Sequence, residues 1–147
     1  MPLHLLKLCV GIDSVEQLQQ VQASRRENRA AAGEPPENVH RTRHFPRRAE
    51  EVLAGGSLYW IIKGFVRARQ RILRFDELGD SEGLKRCGIV LDPAVVPTVL
   101  QARRPHQGWR YLEERDAPPD LPRQAGLAEE DELPPEMAAK LRDLGLL

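Results

Sequence analysis

Ser57-Leu58-Tyr59-Trp60-Ile61-Ile62-Lys63-Gly64-Phe65-Val66-Arg67-Ala68-Arg69-Gln70-Arg71-Ile72-Leu73-Arg74-Phe75 is the stretch on which the fold turns. Its first part is rich in β-branched and aromatic residues, and after Gly64 apolar and basic residues alternate. It therefore reads as two strands, or as one strand bent at the glycine. A helix competes, because Ile61, Phe65, Ala68, Ile72 and Phe75 also recur at helical spacing. The β-branched and aromatic enrichment favours strands.

Toward the amino terminus, Pro46 suits the first position of a short helix over Arg47 to Ala54, closed by Gly55-Gly56. Residues 34 to 45 hold prolines, His40, Arg41, Arg43 and His44 with hardly an aliphatic, which reads as a basic surface loop. Ser14-Val15-Glu16-Gln17 is a capping-box signature for a helix with Val15, Leu18 and Val21 as its apolar stripe and Gly33 as its end. Leu3 to Val10, aliphatic and stopped by Gly11, reads as a strand inside the sheet.

Toward the carboxyl terminus, the turn-rich Gly79 to Gly83 precedes a strand at Arg86 to Leu91. Asp92-Pro93 then turns into Val95 to Leu100, an edge strand because Pro97 cannot donate to a ladder. Past Leu112 come Pro118, Pro119, Pro122 and Glu129-Glu130-Asp131-Glu132, a solvated acidic segment, and then a short helical stripe of Met137, Leu141 and Leu144. These elements predict an α+β fold: a small, strongly bent antiparallel sheet or partly closed β-barrel with two or three helices packed on it. One domain over residues 1–117 and an acidic, Pro-rich tail over 118–147 with a short terminal helix are expected.

A chain of 147 residues suits one hydrophobic core. No run approaches the ~20 apolar residues of a membrane span, and the amino terminus lacks the pattern of an export leader, so a cytoplasmic protein without a membrane partner is expected. Cys9 and Cys87, far apart and flanked by apolar residues, read as buried reduced thiols; neither a metal site nor a cofactor-binding motif is visible. The formal charge cancels, yet residues 1–112 carry 18 Lys+Arg against 12 Asp+Glu while residues 113–147 carry 4 against 10. A body of +6 thus carries a tail of −6.

Two groups of residues suggest chemistry. Arg67, Arg69 and Arg71 fall at period two and are expected to project to one side, with Val66, Ala68 and Ile72 on the other. Such a row of like charges favours an anion opposite it, or pairing with Asp76, Glu77 or the acidic tail. Arg103-Arg104-Pro105-His106-Gln107-Gly108-Trp109-Arg110-Tyr111-Leu112 mixes guanidinium groups with aromatic rings, the residue types of phosphate contact and base stacking. Trp109 and Tyr111 are equally at home in a core. Arg41, Arg43, Arg47 and Arg48 would complete the surface if folding brought their loop near. His40, His44 and His106 with Asp92 form a weaker catalytic candidate, since the spacing of orienting carboxylates is absent; there is no Gly-rich phosphate loop, GxSxG or HExxH.

Several phrases together resemble a family of uncharacterised alphaproteobacterial proteins, domain of unknown function 1489. They are His4 to Gly11 with Asp13-Ser14-Val15, Pro46 to Glu50, Gly56 to Trp60 with Ile62-Lys63-Gly64, Ala68 to Leu73, Arg86-Cys87-Gly88 with Leu91-Asp92-Pro93, and Gln107 to Leu112. The likeness runs from residue 3 to about 120, and the tail matches little. It implies a bacterial cytoplasm and supplies no catalytic residue. Strand order and the Trp-Arg-Tyr ending are also similar to the PUA-like barrels, several of which bind RNA or a modified base.

These readings lead to three functional expectations. The first is a non-catalytic module that binds RNA or another polyanion through Lys63, Arg67, Arg69, Arg71, Arg103, Arg104 and Arg110, with Trp109 or Tyr111 stacking. The second is an interaction or regulatory adaptor whose acidic tail and terminal helix meet a protein partner or mask the basic body. The third is a small-ligand enzyme using the histidines.

Overall fold

The computed structural model describes residues 2–79, 82–83 and 85–121. Along the chain lie β1 (Leu3–Leu8), α1 (Val15–Ala31), β2 (Asn38–Thr42), α2 (Ala49–Leu53), β3 (Ser57–Ile62), β4 (Phe65–Gly79), β5 (Lys85–Leu91), β6 (Val96–Ala102), β7 (Trp109–Glu113) and a 3-10 turn at Glu114–Asp116. The strands form one open sheet in the order β2-β5-β4-β3-β1-β7, with β6 paired to β4 beside that path. The architecture is α+β. The sheet is not closed, and it is mixed where an antiparallel one was expected, because β1 and β3 run parallel.

That parallel pair explains the aliphatic runs. β3 is buried at all six positions, as expected when both faces of a strand are covered. On one face Leu3, Leu5, Leu58, Trp60, Ile62, Ile72, Ile89 and Leu91 pack with Leu18 of α1 and Val52 of α2. On the other, Leu6, Tyr59, Ile61, Val66 and Leu112 make a second cluster. The strand reading of residues 57–75 holds: Lys63 and Gly64, at φ 50° and 80°, form a hairpin turn whose two central residues both take positive φ, the geometry that suits the twist of the flanking strands. β4 then runs 15 residues, pairing β3 and β6 with its first half and β5 with its second.

The capping signature acts largely as read. Ser14 Oγ accepts from the Gln17 N–H at 3.0 Å, while Gln17 Oε1 reaches back to the Asp13 N–H at 2.7 Å. Gly33 (φ 78°) ends α1, and the Glu34 N–H bonds the Arg29 carbonyl oxygen five positions back in the Schellman manner. α2 starts three residues after the proline expected to open it, with Pro46 buried in the approach.

Two strands escape the sequence reading. Residues 34–45 are not all surface loop: Asn38–Thr42 form β2 against β5, with Asn38 and Thr42 buried. Trp109–Glu113 form β7, antiparallel to β1. Beyond β7 the chain recrosses the sheet, and at its described end the Val99 N–H bonds Pro119 O while the Leu121 N–H bonds Pro97 O. Of the acidic tail expected over residues 118–147, the part from residue 122 on, with the acidic run and the terminal helix, lies outside the described residues.

Candidate functional site

The expected cationic stripe is broken by a bulge. In the β3–β4 ladder Trp60 faces Ala68 and Ile61 faces Val66, leaving Arg67 as the extra residue without a cross-strand partner. Directly opposed residues share a face. Val66 therefore lies on the Tyr59 side with Arg69 and Arg71, while Ala68 and Ile72 lie on the Trp60 side. Arg67 folds back: its Nε donates to the Ile62 carbonyl oxygen at 2.6 Å and its guanidinium lies 5.6 Å from the Phe65 ring centroid. Arg69 is engaged by Asp120 through two parallel bonds of 2.6 and 2.7 Å and by Ser57 Oγ at 2.9 Å. That pairing holds the Asp120 carboxyl below its ordinary range.

The segment carrying Asp120 passes over the Arg69 face. Glu114 meets buried His4, whose other ring nitrogen, Nδ1, accepts the Ser57 N–H at 2.9 Å. The proton of neutral His4 is therefore on Nε2, facing the carboxylate. Arg103 Nε donates to Gln101 Oε1 at 2.9 Å. Lys63, Arg71, Arg104 and Arg110 are exposed. Arg110 pairs beside Leu6, whereas Trp109 and Tyr111 pair beside Lys7 and Leu5, so strand alternation sends the arginine and the two rings to opposite faces of β7. Arg69, Arg71 and Arg110 therefore share the Tyr59 face of the sheet, while Trp109 and Tyr111 lie on the other, so the cations and rings named from sequence do not form one surface.

A different basic segment meets the aromatic rings. The loop between β2 and α2 comes up against β7, the far edge of the open sheet, and Trp109 Nε1 donates to the His44 carbonyl oxygen at 3.0 Å. The Arg48 N–H donates to the Tyr111 hydroxyl oxygen at 3.1 Å, and the Arg48 guanidinium lies 5.6 Å from that ring's centroid while paired with Glu51. Trp109 and Tyr111 stand edge to face, 5.0 Å apart at 68°. Together with Phe45, Arg43, Arg47 and Gln107 they line a recess of about 510 Å³ along this seam. Phe45 and Tyr111 are 42% and 36% exposed, and Arg43 and Arg47 have no partner among the described residues.

A second cavity, of about 410 Å³, lies between α1, the end of β1, and β2. Its floor is a closed polar network. Gln22 and Gln70 exchange amide hydrogen bonds of 2.6 and 2.7 Å, Trp60 Nε1 donates to Gln70 Oε1 at 2.9 Å, and Gln70 Nε2 also reaches the Asp92 carbonyl oxygen at 3.0 Å. With its amide turned to the orientation its neighbours require, Asn38 donates to the Gln22 main-chain carbonyl oxygen at 3.1 Å and accepts from Arg26 Nη1 at 2.7 Å. His40 stands edge-on to Trp60, and its Nε2 is buried without a partner. Burial, then Lys7 and Arg25, push His40 down to about 4; burial raises Cys9 to about 11 and lowers Lys7.

The catalytic candidates do not assemble. His44 is exposed, His106 lies in the β6–β7 connection, and Asp92 caps its own turn by accepting the Ala94 N–H at 2.8 Å. Both cysteines are free and buried. Among the described residues no group of three His, Cys, Asp or Glu side chains is placed to hold a metal ion, and no helix is long and apolar enough to cross a membrane. Sequence reading missed the second cavity; its available signal was Lys7 inside a strand whose other residues, His4 apart, are all leucine.

Fold and sites together define an α+β protein with one open, mixed sheet, an aromatic–basic seam at its edges and a polar-floored cavity under its long helix. The chain belongs to the family described as protein of unknown function (DUF1489), whose model matches residues 5–147 and so takes in the tail as well as the body. No curated protein and no solved structure matches it.

Proposed function

We propose that the protein is a non-catalytic binding module for single-stranded RNA, acting in the cytoplasm. What supports this is the seam: Arg43 and Arg47 border one recess with Phe45, Trp109 and Tyr111, so phosphate-neutralising groups and stacking platforms adjoin, while Arg48, paired with Glu51, lies over the Tyr111 ring. Stacking of a base on an exposed ring is worth about 1–3 kcal/mol, and arginine pairs with phosphate through parallel hydrogen bonds. Arg104, in the β6–β7 connection, and Arg110, on the face of β7 opposite the two rings, are exposed and add to the general positive potential. Lys63, Arg71 and Arg103 contribute general positive potential, while Arg67 and Arg69 hold the sheet together. The two unpaired, buried thiols suit a reducing compartment.

Fluorescence anisotropy with labelled oligoribonucleotides across a salt series tests this. Affinity falls with salt at a log–log slope of about −0.7 for each phosphate neutralised. Reversing Arg43 and Arg47 to Glu weakens binding and flattens that slope, and Tyr111→Leu weakens it at constant slope. Absence of binding at low salt, or equal affinity for heparin with no effect of Tyr111→Leu, overturns the reading in favour of none or of simple charge attraction.

A further inference from the structure

The cavity under α1 takes no part in the seam, and its chemistry points to a ligand of its own. Its size, about 410 Å³, lies within the range of small-molecule sites. Leu8, Ile12, Leu18, Val21 and Leu91 provide apolar wall, and Trp60 provides an aromatic one. Every polar group on the floor is satisfied by protein: the Gln22–Gln70 pair, the Trp60 indole and the Asn38 amide all have partners. His40 Nε2 is the exception, buried and unpartnered. A buried polar atom left unpaired is costly, and a bound molecule with a hydrogen-bonding edge would relieve that cost.

The charged groups facing this space are unbalanced. Arg25 and Arg29 border it from α1, and Lys7 of β1 lies near enough to act on both His40 and Cys9. From the β2 side the lining contributes one carboxylate, Glu37, and it is committed to Arg74 through bonds of 2.6 and 3.0 Å. Arg29 is tied to Pro35 O and lies 3.6 Å from Glu34, whereas Arg25 is exposed and has no partner among the described residues. An unpaired polar atom deep in an apolar, aromatic-walled space with cations at its border calls for a molecule with the reverse polarity.

We propose that this cavity is a binding site for a nucleoside monophosphate, with the planar base inside against Trp60 and a ring atom bonded to His40 Nε2, and the phosphate at Arg25. An inorganic anion alone would leave the apolar wall and His40 unused, and an uncharged ring would leave Arg25 unanswered.

The chain has two tryptophans, so the two indole N–H signals of ¹⁵N-labelled protein separate this cavity from the seam. Assigned with Trp109→Phe, they are followed during titration with adenosine, guanosine, cytidine and uridine 5′-monophosphates, the free nucleosides, and inorganic phosphate. The expected result is a saturable shift of the Trp60 signal with at least one monophosphate, at a Kd well below that of its nucleoside and with inorganic phosphate without effect. Arg25→Glu, an exposed change on α1, raises that Kd about tenfold or more, the loss of a charge-assisted phosphate contact. Movement of the Trp109 signal alone, absence of a Trp60 shift with all four monophosphates, or indifference of the Kd to Arg25→Glu overturns the proposal. RNA affinity at the seam is read separately by anisotropy, so either reading can fail without the other.

Discussion

Trp109 ties the open edge of the sheet to the opposite side of the molecule: its indole N–H donates to the carbonyl oxygen of His44 at 3.0 Å, although β7 and the strand before His44 are the two ends of the strand order. No backbone ladder joins those ends, so this bond and the Arg48–Tyr111 contact carry the seam. Trp109→Phe keeps an aromatic ring and removes the donor. We expect a loss of about 0.5–1 kcal/mol in urea unfolding, at the low end for a hydrogen bond because the site is partly wet. Amide exchange should quicken in residues 43–48 more than in β3. An unchanged exchange pattern would show that the seam is held by other contacts.

Gln70 is the hub of the buried network, with its oxygen accepting from Gln22 and Trp60 and its nitrogen donating to Gln22 and Asp92 O. Gln70→Leu strands the Gln22 amide and the Trp60 donor in the core, so it should cost more than about 2 kcal/mol. Adding Gln22→Leu removes one of the stranded groups, and the double variant should therefore lose less than the sum of the two single ones. Chemical denaturation of the three variants settles the point; a strictly additive double variant would mean that the two amides do not act as a pair.

Gly56 is pinned between two backbones. A Cβ there would meet the carbonyl oxygen of Leu3 and stand 2.5 Å from that of Val52, neither of which can swing aside as a side chain could. The chain is held in place by Gly56 N–H to Val52 O at 2.7 Å and Ile72 N–H to Gly56 O at 3.1 Å. Gly56→Ala should cost about 3 kcal/mol or more, or prevent folding. Gly55→Ala makes a ready comparison: its Cβ would have 3.8 Å of clearance from Pro2, and the penalty is the backbone strain of φ 116°, of order 1 kcal/mol. Thermal melts of the two proteins should rank them in that order.

The parts of the fold visible in the sequence are those whose burial leaves a periodic or apolar trace. β1, β3 and β5 are aliphatic or aromatic because both their faces or one whole face are covered, and α1 announces itself through Ser14 and Gly33. β2 and β7 left no such trace. In Asn38-Val39-His40-Arg41-Thr42 the buried positions are themselves polar, Asn38 because it meets Gln22 and Thr42 because its hydroxyl bonds the His44 carbonyl oxygen at the seam, so alternation of hydrophobicity is absent. In Trp109-Arg110-Tyr111-Leu112-Glu113 a partly exposed edge strand mixes rings and charges. The bulge at Arg67 was equally invisible, since period two in the text says nothing of one residue dropping out of register. At the candidate site the residue types were legible, in Trp109 and Tyr111 and in the basic loop. Their meeting depends on a tertiary approach between the two edges of the sheet, which local sequence does not encode.

His40 should make the stability of the protein depend on pH. In the folded chain, burial first and then the charges of Lys7 and Arg25 hold its imidazole down at about 4. An unfolded chain takes up that proton at about 6.5. Between those two values the unfolded state binds more protons than the folded one, so unfolding becomes easier as pH falls through that window. Above about 6.5 the full stability is present, and the loss on reaching about pH 4 is at most about 3 kcal/mol from this group. His106, lowered mainly by its own burial, adds a dependence of the same sign. His40→Gln carries no titrating group, and whatever it costs at neutral pH, its stability between about pH 5 and 7 should vary less than that of the wild-type protein. Denaturation midpoints at several pH values give the two slopes, and an NMR titration of the His40 ring gives the folded-state value directly. A ring that titrates near 6.5 would mean that water or a flexible wall reaches Nε2, and the cavity would then be neither as dry nor as positively charged as its geometry requires.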